Sequence, residues 1–121
     1  MKVIYVAGPF GANNDIEIQL NIASARKIGL ETAKRGWSPI IPHSNTGGFE
    51  KASIKSDPGE TLSFWYEATA LLLTKCDALV LCPGWESSVG TLAELNQAGE
   101  MGIPVYYSVE SVPYLDCPED Y

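Results

Sequence analysis

The sequence predicts an α/β protein with a small parallel sheet of about four strands flanked by helices. Apolar runs of strand length alternate with helical segments along the chain. The first and third runs contain almost no polar residues, which is typical of strands covered on both faces. Such an alternation implies a parallel sheet with right-handed crossovers. The length of 121 residues and the apolar share of 45% fit one domain, residues 1–121, around one core.

The first half of the chain predicts two strands joined by a helix. Lys2–Gly8 is an almost continuous apolar run, and the loop Pro9–Asp15 is rich in glycine and asparagine. The segment Ile16–Gly36 predicts a helix whose last glycine fits a C-terminal cap. Its inward positions are Ile18, Ile22, Ala25, Gly29 and Ala33. Trp37–Ile41 predicts a second strand, and its proline favours a sheet edge.

The second half of the chain continues the same alternation. A long polar loop comes first, and loops of this length are usually functional lids or disordered. The tail from Ser108 is polar and predicted to be irregular. In order, the predicted segments are the loop Pro42–Gly59, a helix Glu60–Lys75, a strand Cys76–Cys82, a helix ending near Met101 with Gly102 as its cap, and a strand Ile103–Tyr107.

The predicted strand order is 2-1-3-4, as in a small doubly wound fold of the Rossmann-like or flavodoxin-like kind. Ligands of such sheets bind at the carboxyl ends of the strands, where the strand order reverses. That point lies between the first and third strands, so the loops "AGPFGANN" and "PGWESSVG" are expected to meet there. The dinucleotide pattern GxGxxG and the P-loop pattern GxxxxGK[ST] are absent, which argues against both ligand classes.

Composition excludes several function classes. The net charge is −7 and the basic residues are scattered, which argues against duplex nucleic-acid binding. No apolar run approaches the ~18 residues of a membrane span, and no signal peptide is expected. Cys76, Cys82 and Cys117 show no metal-ligand spacing, and an odd, unpatterned set favours a reducing cytoplasm. We expect no metal and no cofactor.

The loop after the third strand contains the strongest candidates. Ser87, Ser88 and Gly90 lie at a predicted helix start, where free N–H groups and hydroxyls suit a phosphate or carboxylate. A serine there can equally be an ordinary N-cap. Glu94 lies one turn beyond Gly90 on the same helix face, so it is a candidate nucleophile or base if that face borders the cleft. Otherwise it is a solvated surface glutamate.

Other candidates lie at the same predicted edge. Gly8 and Gly11 would let the backbone approach a ligand closely, although a strand-to-helix turn also favours glycine. Tyr5 is either a core residue with a tethered hydroxyl or a residue of the site. His43 follows the second strand, where it can contact a ligand, but a lone histidine makes no metal site. Asp77 begins the third strand at its amino end and is expected to be structural.

The segments "IYVAGPF", "CDALVLCPGWESSVGTLAEL" and "GIPVYY" resemble the nucleoside 2-deoxyribosyltransferase-like superfamily, and especially its small, mostly uncharacterised bacterial and phage branch. The resemblance extends from Lys2 to Tyr107. It implies cleavage or transfer of the N-glycosidic bond of a (deoxy)nucleoside or its 5′-monophosphate. The "GTLAE" segment is also similar, in part, to the PGGxGTxxE signature of lysine-decarboxylase-like phosphoribohydrolases, which act on the same type of bond.

The resemblance implies roles for individual residues. Glu94 matches the glutamate that attacks the anomeric carbon, and Tyr5 matches a tyrosine near it. Ser88 and Gly90 match residues that hold the 5′ end or phosphate. The loop that contacts the sugar or phosphate corresponds to Gly8, Pro9, Phe10 and Gly11. His43 and Trp85 complete the expected substrate-binding set because of their predicted positions at the same edge of the sheet, and not because of the resemblance.

One position departs from the family pattern. Many members carry an acidic residue eight positions before the aspartate of the third strand, and Thr69 occupies that position here. Glycosidic chemistry commonly uses one group to attack and another to protonate the leaving group. The first hypothesis is therefore an enzyme with Glu94 as nucleophile. The alternative is a catalytically degenerate protein that binds or sequesters a nucleotide.

A third and weaker hypothesis is an assembly or regulatory module. Proteins of this fold often form homodimers or larger homo-oligomers in which a neighbour closes the site. The apolar helix segment from Phe64 to Leu73 can supply such an interface.

Overall fold

The computed structural model of the protein describes residues 1–11, 14–46 and 55–115. The described strands are β1 (Val3–Ala7), β2 (Ser38–Ile40), β3 (Ala78–Leu81) and β4 (Val105–Tyr106). The described helices are α1 (Asp15–Lys34), α2 (Pro42–Thr46), α3 (Pro58–Leu73) and α4 (Val89–Met101). Short 3-10 helices span Trp85–Ser87 and Val109–Ser111.

The four described strands form one parallel sheet in the order β2-β1-β3-β4. This confirms the predicted fold class and strand order. Tyr5 of β1 pairs with Ile40 on one side and with Leu79 on the other. Its side chain therefore projects from the middle of the sheet. The strand order reverses between β1 and β3, which makes their carboxyl ends the expected ligand edge.

Each face of the sheet has its own apolar cluster, because successive strand residues point to opposite faces. The face covered by α1 and the end of the chain contains Ile4, Val6, Ala25, Trp37, Ala78, Val80, Cys82 and Val112. The opposite face contains Tyr5, Ala7, Leu73, Cys76, Leu79, Leu81 and Ala98, with α3 and α4 above it. Both faces of the central strands are therefore covered, as their apolar sequences predict.

Local signals fix where the helices begin and end. The Asn14 side chain accepts a hydrogen bond from the Glu17 backbone N–H and caps the start of α1. Gly36 and Gly102 have φ angles of 92° and 73°, the left-handed conformation that glycine adopts most easily after a helix. The Asp77 carboxylate accepts a hydrogen bond of 2.8 Å from the backbone N–H of Val3, the first residue of β1. Its predicted structural role is confirmed.

Three details of the sequence prediction are wrong. Pro42–Thr46, predicted as loop, forms the short helix α2. Ala33 of α1 is exposed, and Thr32 beside it is buried instead. The tail from Ser108, predicted to be irregular, contains the 3-10 helix Val109–Ser111, and Val112 after it packs in the core.

That tail is held at two points by residues that follow α1. The Trp37 indole donates to the Pro113 carbonyl at 2.9 Å, and Arg35 donates to the Val112 carbonyl at 2.9 Å. The loop residues 47–54 and Cys117 lie outside the described residues. Within the described ranges, no helix is both long and apolar enough to cross a membrane.

Candidate functional site

The loops that follow β1 and β3 meet at the carboxyl edge of the sheet, as predicted. A Cβ atom on Gly8 would lie 2.5 Å from the Cβ of Cys82, so only glycine fits at the end of β1. Gly84 has a φ of 88°, and a Cβ there would lie 3.3 Å from the Pro9 ring. The two loops are therefore in direct contact at the point where the strand order reverses.

The α4 helix presents one face to α3. A Cβ on Gly90 would lie 3.7 Å from a ring carbon of Tyr66, and Gln97 donates to the Ala70 carbonyl at 2.9 Å. Glu94 lies between these two contacts on the same stripe, since residues four and three apart share a helix face. This confirms that Glu94 lies on the same face as Gly90. That face points inward, so Glu94 is not a freely solvated glutamate.

Beneath that helix pair lies the hydroxyl of Tyr5. The Tyr5 side chain is fully buried, and its hydroxyl makes no well-formed hydrogen bond with any described residue. The hydroxyl is nevertheless close enough to the Glu94 carboxyl and the Thr69 hydroxyl for both groups to influence its pKa. Strand β1 and helices α3 and α4 thus bring three polar side chains to one point.

Burial controls the protonation of this group of side chains. It raises the pKa of Glu94 to about 7, and the neighbouring Tyr5 hydroxyl acts in the opposite direction. Burial, and then the Glu94 charge, raise the pKa of the Tyr5 phenol far above its usual value. The same two causes raise the pKa of the Cys82 thiol to about 12. Near neutral pH, Glu94 is therefore the group that can change its charge.

Thr69 occupies the α3 position at which an acidic residue is expected. Its hydroxyl lies 3.1 Å from the Trp65 carbonyl and 3.2 Å from the Tyr66 carbonyl, one turn earlier in the helix. The hydroxyl proton is thereby directed to the helix backbone. The oxygen still faces Tyr5, so the side chain belongs to the site although it brings no charge.

His43 contacts the first loop through its ring. Its Nε2 atom lies 3.0 Å from the Gly8 carbonyl and 2.9 Å from the Pro9 carbonyl, so Nε2 carries the proton and donates. The ring is buried and meets the Phe10 ring edge-on, and its Nδ1 atom has no hydrogen-bond partner in the part of the chain that the structure describes. Burial lowers the His43 pKa. A neutral His43 therefore holds the loop that was predicted to contact the sugar.

Ser88 is the N-cap of α4. Its oxygen accepts from the Thr91 N–H at 3.2 Å and from the Thr91 hydroxyl at 2.8 Å. Ser87 instead donates to the Gly84 carbonyl at 3.1 Å. The capping alternative for Ser88 is confirmed, and a capping serine that accepts two bonds can still donate its own proton to a ligand.

Two further predicted residues make no contact with Glu94 that the structure shows. Trp85 packs against the apolar cluster on the α3 and α4 face and meets the Tyr107 ring edge-on at 5.6 Å. Gly11 is exposed, and a Cβ atom there would meet no atom of the described residues within 4 Å. No three His, Cys, Asp or Glu side chains among the described residues are arranged to hold a metal ion.

Two surface depressions lie away from the Tyr5–Glu94 pair. One, of about 430 Å³, is lined by Pro39, Ile40, Ile41, Ser44, Asn45 and Leu72. The other, of about 360 Å³, is lined by Lys55, Glu60, Ser63, Phe64 and Glu67. Neither contains a pair of polar side chains as deeply buried as Tyr5 and Glu94, so we take the carboxyl edge as the candidate site.

Comparison with known proteins identifies a family, but the description of that family gives no function. Residues 2–108 match the family described as a domain of unknown function, DUF7768. No curated protein matches the sequence.

Proposed function

The chain belongs to the DUF7768 family, and we propose that it cleaves or transfers the N-glycosidic bond of a (deoxy)nucleoside or nucleoside 5′-monophosphate. The observation that carries this proposal is the partly buried carboxyl of Glu94 beside the buried hydroxyl of Tyr5. Both side chains belong to elements that end or begin at the contact between the two loops. The resemblance to deoxyribosyltransferase-like proteins supports the same choice of nucleophile.

Glu94 attacks the anomeric carbon in its ionised form. With a pKa of about 7, a substantial share of the carboxyl is ionised at neutral pH. The Tyr5 hydroxyl favours that form, because it can donate to the carboxylate. Attack yields a glycosyl ester, which water or a second base then resolves; the same two steps operate in retaining glycosidases.

The 5′ end of the substrate is placed at the start of α4. The Val89 and Gly90 N–H groups have no acceptor within the helix, because the first N–H groups of any helix lack one. The Ser88 hydroxyl proton adds a donor at the same place. A phosphate or hydroxyl held there lies about one helical turn from Glu94, since these residues follow one another along a single helix.

The proposal is tested with a panel of nucleosides and their 5′-monophosphates, assayed for free base by chromatography. Wild-type protein is expected to release base from at least one compound, and Glu94→Gln is expected to lose at least about 100-fold of that rate. Glu100→Gln is the matched control, because Glu100 is an exposed glutamate on the same helix. The proposal fails if wild type releases no base, or if Glu94→Gln keeps the wild-type rate.

The position of Thr69 favours a second candidate function, a protein that binds a nucleotide without turning it over. Thr69 contributes a hydroxyl where a second carboxylate would assist departure of the base. Calorimetry with the same panel separates the two functions. Micromolar binding with no base release over days supports the binding protein, and release after binding excludes it.

We further propose that the protein works in the cytoplasm as a homodimer or larger homo-oligomer. Helix α3 exposes Leu62, Phe64, Tyr66 and Leu71, which supports self-association through this helix. The free, buried thiols of Cys76 and Cys82 fit a reducing compartment. Light scattering tests the oligomeric state, and a monomer at micromolar concentration contradicts it.

A further inference from the structure

The Glu94 carboxyl has no positive partner among the described side chains. Within residues 1–11, 14–46 and 55–115, the ion pair that forms is Lys34 with Glu31, both on α1. Two influences act on the pKa of Glu94: the burial of its carboxyl group and the neighbouring neutral hydroxyl of Tyr5. An ionised carboxylate in such surroundings gains stability from any positive charge that a ligand brings.

The described side chains around Glu94 also include no group that is both free and acidic enough to protonate a departing base. Burial makes the Tyr5 phenol a very weak acid. The His43 Nε2 proton is engaged by the Gly8 and Pro9 carbonyls. The Thr69 hydroxyl donates to the backbone of its own helix. These residues can supply a nucleophile, but they do not supply a general acid.

Resting on the function proposed above, we infer that the preferred substrate is an N-glycoside whose base already carries a positive charge. An N-glycosylpyridinium and an N7-alkylpurine nucleoside are the two common forms of such a base. On binding, the cation pairs with Glu94 and supplies the positive charge that no described side chain provides. It also departs as a neutral molecule, which removes the need for a general acid.

The bond changes balance with water as the co-reactant. The Glu94 carboxylate forms a bond to C1′ while the bond from C1′ to the ring nitrogen breaks. The electron pair of the broken bond goes to that nitrogen and neutralises its charge. Water then attacks C1′, the ester bond breaks back to the Glu94 carboxylate, and one proton passes to solvent. The products are a free sugar and a neutral base.

The net charge of the protein also agrees with a cationic ligand. It is −7, which attracts cations over distance.

The test compares matched substrates that differ in charge. 7-Methylguanosine and guanosine share the sugar and the purine skeleton, and N-ribosylnicotinamide represents the pyridinium class; each is also assayed as its 5′-monophosphate and its 2′-deoxy form. Rates are divided by the uncatalysed rate of each compound, because cationic nucleosides are intrinsically more labile. The cationic members are expected to show a rate enhancement roughly 100-fold larger, the usual contribution of a general acid.

A variant tests the cause directly. Thr69→Asp places a carboxyl group at the position beside Tyr5, and its folding is checked by circular dichroism. It is expected to raise cleavage of guanosine by a larger factor than cleavage of 7-methylguanosine, so the ratio of the two rates is the measured quantity. Glu67→Asp is the control, because Glu67 is exposed on the same helix.

The outcomes separate this inference from the function on which it rests. Equal rate enhancements for the neutral and cationic members overturn the inference and leave the N-glycosidase in place. Base release from none of the compounds overturns both. Selective cleavage of the cationic members by wild type supports the inference whether or not Thr69→Asp folds.

Discussion

The hydroxyl of Tyr5 lies against the carboxyl of Glu94, so the central strand and the last helix each contribute one polar group to the same buried point. The contact affects both groups: the Glu94 charge raises the pKa of the phenol, and the phenol lowers the pKa of the carboxyl. Because the Tyr5 side chain is fully buried, water does not substitute for it.

Tyr5→Phe is therefore expected to change the pH dependence of base release. The rate depends on ionised Glu94 and rises with pH through about 7 in wild type. Without the hydroxyl, the pKa of Glu94 rises further, so the rising limb moves to higher pH. Full pH–rate profiles of both proteins measure the shift. If the rising limb of the profile lies at the same pH in both proteins, Tyr5 does not affect the pKa of Glu94.

Glu94 is also expected to make stability depend on pH. Its pKa is about 7 in the folded protein and 4.5 for the free side chain, so the folded state holds the proton more strongly. The stabilisation is complete below pH 4.5 and is lost as pH rises to about 7. Glu94→Gln removes this loss. At pH 8 we expect the variant to be more stable than wild type by up to about 3 kcal/mol.

Urea denaturation at pH 4.5 and pH 8 measures this difference. The effect is the change in the gap between wild type and variant, because other titrating groups are common to both. Glu100→Gln makes the same chemical change at an exposed site of the same helix and is the control. A Glu94→Gln gap that does not widen with pH contradicts a raised pKa.

Gly8→Ala is expected to destabilise the protein by about 1–3 kcal/mol, the usual cost of overpacking. The new methyl group would lie 2.5 Å from the Cβ and 2.9 Å from the sulfur of Cys82, and the Cβ contact cannot be relieved by rotating the thiol. Gly11→Ala in the same loop is the control, because no atom of the described residues lies within 4 Å of its Cβ position. Thermal denaturation tests this expectation by comparing the melting temperatures of the two variants. Equal melting temperatures would show that the strand ends move apart easily.

The architecture and the main site pair could be predicted because they depend on strong local signals. Uninterrupted apolar runs identified β1 and β3, and their alternation with helices determined the strand order. The reversal of that order between β1 and β3 was enough to predict that the loops after these two strands meet. The spacing from Gly90 to Glu94 gave the helix face, and the structure added that this face is turned toward α3.

Other features depend on contacts that leave no pattern in the sequence. The helix α2 has five residues, too few for an apolar period to show. Val112 lies in a mostly polar tail without an apolar period. Its burial is accompanied by hydrogen bonds that Arg35 and Trp37 donate to the carbonyls of Val112 and Pro113. The bonds from His43 go to backbone carbonyls of a distant loop, which no side-chain motif reveals.

Ser88 permits a test that separates capping from ligand binding. Ser88→Ala is expected to destabilise the protein by about 1–2 kcal/mol, because the Thr91 N–H and the buried Thr91 hydroxyl both lose their acceptor. Ser88→Asp keeps an acceptor at the cap and places a negative charge at the start of a helix, where it is favourable. Its stability is therefore expected to remain within about 0.5 kcal/mol of wild type.

The same aspartate repels a phosphate held at the start of α4. Ser88→Asp is therefore expected to weaken binding of nucleoside 5′-monophosphates at least about 10-fold, and to change binding of the matching nucleosides much less. Calorimetry with each nucleoside and its monophosphate measures the two effects beside the denaturation curves. If both ligands bind as they do to wild type, Ser88 acts only as a cap and the 5′ phosphate lies elsewhere.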